Sequence, residues 1–227
     1  MRFTQFSRSK MMRLVDIRIN PILEKITKHE FLQKLSLGIL EQEAFKIYLQ
    51  QDYLYLNTYS NALLFLSDLA VSDDDHFFLK ECVAACATEP PFKIRENMEI
   101  HKVQQTNAGV QYARFINQHI QKGYQPGLAA VFPCFYVYFL VAKKMYPENK
   151  TNAYCHWFDT YQSKLFVAQT QKIISILERV YEESNESQKN DLLNIISQGA
   201  QHEYHFWDDC YVDFQNTLPK ENCLCGI

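Results

Sequence analysis

Apolar residues recur at spacings of three and four along almost the whole chain, the period of helices that each bury one stripe. The pattern stops at Gly38, Val71 with Ser72, Pro90 with Pro91, Asn107 with Gly109, Gly123 to Gly127, and Pro147, where turn-formers fall. These breaks predict helices over roughly 16–36, 42–70, 73–89, 92–105, 109–121, 126–145, 150–160, 162–183 and 187–214. "SDDD" at Ser72 to Asp75 reads as a capping box opening the third. Neither strands nor repeats stand out, and short connections favour antiparallel neighbours. The expected class is all-α, an up-and-down multi-helix bundle.

Composition sharpens this picture. Only 6 Gly and 7 Pro punctuate 227 residues, against 14 Tyr and 16 Phe, so long helices with an aromatic-rich interior are expected. No linker divides the chain. It reads as a single domain, 1–227, with a core over about 16–214, an N-terminal extension over 1–15 and a C-terminal tail over 215–227. A formal charge of −3 without a basic stripe argues against a nucleic-acid partner. Seven cysteines, an odd number, with no secretory apolar stretch at the start, argue for reduced thiols and a cytoplasmic protein. The basic start (Arg2, Arg8, Lys10, Arg13) weakly resembles an organellar presequence, and a ragged start upstream of Met11 or Met12 accounts for it equally. The nearest apolar run, Val131 to Ala142, is shorter than the roughly 20 residues that span a bilayer, so no membrane partner is expected. Cys223 and Cys225, in the terminal "CLCGI", fit neither a prenylation signal nor an unaided zinc site.

Two apolar stripes are interrupted by a single carboxylate each. The second helix runs Tyr48, Asp52, Tyr55, Tyr59, Ala62, Leu66, Leu69, and the last runs Leu192, Ile196, Gly199, Glu203, Phe206, Cys210. A buried carboxylate takes up a proton or is matched by donors. Either acid alone could be a structural hydrogen-bond partner; two on different long helices point to a shared polar pocket. Tyrosines fall in the same neighbourhoods: Tyr55 one turn from Asp52, Tyr138 one turn from Cys134, Tyr112 on the face of Phe115, and Tyr161 four residues after Trp157. Cys134 itself, in "VFPCFYVYFL", reads on spacing alone as a packed thiol, because an apolar setting raises a thiol's pKa. A nucleophile there would need donors from other helices, and Pro133 disrupts helical bonding just before it.

"QDYLYL" at Gln51 to Leu56, "PCFYVY" at Pro133 to Tyr138, "WFDTYQSKLF" at Trp157 to Phe166 and "EYHFWD" at Glu203 to Asp208 together resemble the TenA family, also called thiaminase II. The resemblance spans roughly residues 20–214 and matches the branch with an active-site cysteine. It implies a haem oxygenase-like all-α fold, usually a homotetramer, acting on aminopyrimidines in thiamine salvage without a metal or organic cofactor. The characteristic reaction turns 4-amino-5-aminomethyl-2-methylpyrimidine into its hydroxymethyl counterpart, and some members also cleave thiamine. By this resemblance the nucleophile falls on Cys134, the pyrimidine-binding acid on Asp52 and the proton-transferring glutamate on Glu203. Supporting tyrosines fall on Tyr55, Tyr112, Tyr138 and Tyr161. Glu96, Glu99 and His101 occupy a region where the family commonly has acidic residues and a histidine.

Two competitors follow from the residues. A metal-dependent oxidase could use His202, His205 and Asp209, which recur at i, i+3 and i+7, although no Glu-x-x-His pair accompanies them. A non-catalytic pyrimidine-binding or regulatory protein would need the acid but neither the thiol nor the proton shuttle.

Overall fold

The computed structural model describes residues 9–88 and 103–219. Among these residues the chain forms nine helices and no strand: α1 (Lys10–Lys28), α2 (Glu30–Leu37), α3 (Gln42–Leu69), α4 (Asp73–Thr88), α5 (Asn107–Ile120), α6 (Tyr124–Lys144), α7 (Cys155–Tyr161), α8 (Lys164–Glu183) and α9 (Glu186–Thr217). Most of the helix predicted over 92–105, with Glu96, Glu99 and His101, lies outside the described residues, as do Cys223 and Cys225; residues 103–106 are not helical.

Three boundaries differ from the sequence reading, each for a local reason. The first helix starts at Lys10, where Ser9 accepts a hydrogen bond from the Met12 amide at 3.1 Å, and Met11, Met12 and Val15 are buried. Residues 10–15 therefore belong to the core rather than to an extension. The single helix expected over 16–36 divides at His29, which has extended backbone angles and ends α1 while capping α2. Its Nδ1 accepts from the Phe31 amide at 3.2 Å, so the ring carries its proton on Nε2, which donates to Asp208 at 3.1 Å. The helix predicted over 150–160 begins only at Cys155, because Asn152 folds the preceding residues into turns. Asn152 Nδ2 also donates to the Leu35 and Ser36 carbonyls at 3.0 and 2.9 Å, closing the end of α2. Gly38, at φ 77°, provides the left-handed residue that ends α2 against Asn152.

The capping box is half formed. Ser72 accepts from the Asp75 amide at 3.4 Å, but the Asp75 carboxylate turns inward to the Arg179 guanidinium and to the Tyr124 hydroxyl at 3.0 Å. It thereby ties α4 to α6 and α8.

Helix α6 is the hub, packed by α1, α3, α5, α7, α8 and α9. At 21 residues and a mean hydropathy of 1.5 it is long and apolar enough to cross a membrane, more so than its central run suggested. Most of it is buried inside the bundle, however, as expected for a helix that is hydrophobic all round. Helices α6 and α9 pack tightly at Gly199, where a Cβ would lie 2.6 Å from Pro133 Cγ. Gly199→Ala should therefore push α9 off the stiff Pro133 ring and destabilise the fold by about 1–3 kcal/mol, readable as a lowered denaturation midpoint. Turnover should fall with it, since Cys134 follows Pro133 and Glu203 lies one turn beyond Gly199.

Candidate active site

A small aromatic cavity opens between α3, α4, α6, α7 and α8. Of the residues singled out from sequence, Asp52, Cys134, Tyr138 and Tyr161 line it. Leu56, Tyr59, Phe135 and Phe166 add apolar wall, and Cys82, Cys86 and Gln169 complete it from α4 and α8. The other three, Tyr55, Tyr112 and Glu203, form a buried layer outside the lining.

That layer is organised around Glu203. Its carboxyl is 1% exposed and accepts a hydrogen bond of 2.6 Å from the Tyr112 hydroxyl. Burial pushes its pKa from the ordinary 4.5 up to about 8, the Tyr112 bond holds it down somewhat, and the negative charge of Asp52 adds a further push upward. Glu203 is thus a neutral acid at neutral pH that can ionise with modest help. Tyr112 stacks on Tyr55, with ring centroids 5.0 Å apart, and Tyr55 stacks on Tyr59 at 5.4 Å. Burial raises the pKa of all three phenols well above the ordinary value, helped next by Glu203 for Tyr112 and by Cys134 for Tyr55 and Tyr59, so they remain hydrogen-bond donors. The same dependence places the Cys134 sulfur within electrostatic reach of this layer.

Tyr138 is aimed from behind. Trp157 Nε1, a donor only, bonds the Tyr48 hydroxyl at 3.1 Å, and Tyr48 in turn donates to the Tyr138 hydroxyl at 3.5 Å. The Tyr138 ring is clamped against Tyr161 at 4.7 Å and Trp207 at 4.9 Å. One donor nearby, Trp207 Nε1, is buried with no acceptor among the described residues. Buried donors of this kind are expensive unless a ligand or water takes them.

Sequence reasoning missed Tyr48 and Tyr59 as site residues, although both stand on the Asp52 stripe, where a run of tyrosines on one face was the available signal. Cys82, Cys86 and Gln169 gave none, because nothing local distinguishes them from packing or surface positions.

The candidate metal set on α9, His202, His205 and Asp209, does not converge. His202 stacks on Tyr112, with centroids 5.2 Å apart and planes within 9°, His205 is exposed and contacts Gln201 at 3.2 Å, and Asp209 accepts from the Ala108 amide at 2.7 Å. The three side chains have separate partners, and no group of three His, Cys, Asp or Glu residues among those described could hold a metal ion.

Comparison with known proteins identifies the family and the fold. The chain is 29% identical over 198 residues to an uncharacterized protein of Haemophilus influenzae, covering 82% of this chain and 92% of that one. It is 23% identical over 220 residues to the aminopyrimidine aminohydrolase of Staphylococcus carnosus, covering 84% and 90% respectively. The crystal structure of a TenA family transcription regulator from Silicibacter superposes with a TM-score of 0.79 at 22% identity, over 89% of this chain and 97% of that one, and shows the same all-α fold. Residues 17–86 and 92–213 match the TENA/THI-4/PQQC family, and the chain belongs to that family.

Proposed function

We propose that the chain is an aminopyrimidine aminohydrolase of thiamine salvage, working through a cysteine nucleophile. The observation that carries this reading is the pairing of a thiol-bearing aromatic cavity with a buried, protonated Glu203 tied to Tyr112 behind it. Asp52 is the only formally charged side chain among the described lining residues, and no lysine, arginine or histidine joins it. Such a wall suits a neutral or cationic ring and offers nothing to a phosphate.

In this reading Asp52 pairs with the amino group and ring nitrogen of the pyrimidine and favours the protonated, electron-poor ring. The Cys134 thiolate adds to a ring carbon, which breaks aromaticity and drives out the exocyclic amine, while Glu203 gives that amine its proton. Ionised Glu203 then takes a proton from water as its oxygen adds to the exocyclic carbon. Expulsion of the thiolate restores the ring. Water and the aminomethyl pyrimidine become ammonia and the hydroxymethyl pyrimidine. Tyr138 donates towards the reacting groups, Tyr161 walls the ring, and Tyr55 and Tyr112 hold the layer beneath. A homo-oligomer, tetrameric by the family resemblance, belongs to the same proposal.

A non-catalytic regulator on this fold is the second reading, since the Silicibacter protein is a TenA family transcription regulator. It would have no use for a buried proton donor. The deciding measurement is ammonia and pyrimidine alcohol release from a panel of aminomethyl pyrimidine, its formylated relative and thiamine. Turnover should be fastest on the aminomethyl compound, and absence of turnover across the panel would favour the regulator.

A further inference from the structure

The first turn of α5, which carries Tyr112, is held from two sides by the helices that carry the two acids. Gln51, on α3 and directly before Asp52, is 3% exposed and uses both ends of its amide. Its Nε2 donates to the Gln104 carbonyl and its Oε1 accepts from the Thr106 amide, both at 2.9 Å. From the other side, Asp209, on α9 and beyond Glu203, accepts from the Ala108 amide at 2.7 Å. Thr106 completes the turn by accepting from the Gly109 amide at 3.1 Å. A carboxylate on the free amides of a helix N-terminus is favoured both as a cap and by the helix dipole.

Tyr112 lies one turn beyond Ala108, and its hydroxyl is the group that meets Glu203. We infer that Gln51 and Asp209 are positioning residues, a latch that fixes the start of α5 against α3 and α9 and so sets the Tyr112 hydroxyl on Glu203. Neither side chain is among those lining the cavity. The latch acts on the reaction only through Tyr112, and its effect on turnover rests on the proposed function.

Gln51→Ala and Asp209→Ala remove the latch from opposite sides, and either one decides the question. Amide exchange at Thr106, Ala108 and Gly109 should quicken roughly five- to tenfold, the size expected for a lost cap. The protonated-carboxyl infrared band of Glu203 should persist to higher pH than in the parent protein, because the Tyr112 bond that favours its ionised form is loosened. The kcat should fall with little change in KM, and Asp209→Asn, which keeps an acceptor oxygen, should recover most of both effects. Unchanged exchange would overturn the latch; faster exchange with unaltered Glu203 titration and kcat would reduce it to a structural cap. If the parent protein turns over no pyrimidine, the proposed function fails while exchange and infrared titration still decide the latch.

Discussion

Cys134→Ala is expected to lower aminopyrimidine turnover at least roughly a thousandfold while ligand affinity stays within about threefold. The asymmetry follows from the division of labour in the cavity. In the proposed reaction, binding energy comes from the aromatic walls and the Asp52 pairing, all of which survive the substitution. The thiol contributes a bond that exists only along the reaction path, so its loss falls on kcat. Single-turnover kinetics alongside calorimetric titration of the substrate separate the two quantities, and mass spectrometry of the quenched parent protein should show a pyrimidine adduct on the peptide containing Cys134. Full activity in the alanine variant would sink the covalent route and leave Glu203-assisted attack by water as the alternative.

Glu203→Gln is expected to cut kcat by about 10²–10⁴, the usual range for a lost general acid or base. The parent protein should lose activity on the alkaline side near pH 8, as Glu203 gives up the proton it needs for the leaving amine. That limb should be missing from the residual activity of the variant. Stability gives an independent reading with a definite sign. The folded pKa lies above the unfolded one, so the folded chain holds more protons between about 4.5 and 8. The contribution of Glu203 to stability is therefore greatest below 4.5 and is lost as pH rises through 8, a loss on the order of 5 kcal/mol. The glutamine side chain never ionises, so denaturant titrations of the variant should lack this slope and show it as the more stable protein at pH 9. Parallel pH–stability curves for the two would mean that Glu203 is solvated in solution and is not the proton donor.

The helical periodicity was enough to place most helices, because six connections fall at glycine, proline or a polar cluster. His29 was harder to read as a break: its capping role depends on a side chain turning back to its own backbone, which leaves no gap in the apolar spacing. The same holds for the site. Asp52 and Glu203 were legible because a lone acid on an apolar stripe is a local anomaly. Cys134 was not, since what distinguishes it is the tyrosine layer brought to it by α3 and α5. Asp209 was legible as a charged residue near two histidines but not as a helix cap, because its partner amide lies 101 residues away.

Both tryptophans of the chain, Trp157 and Trp207, pack against the ring of Tyr138, with centroids 5.9 and 4.9 Å away. The indole emission of this protein is therefore a local gauge: it comes entirely from residues packed on one cavity-lining ring. A ligand entering beside Tyr138 will alter it before any helix moves, and a loss of structure elsewhere in the bundle will leave it silent until Tyr138 is released.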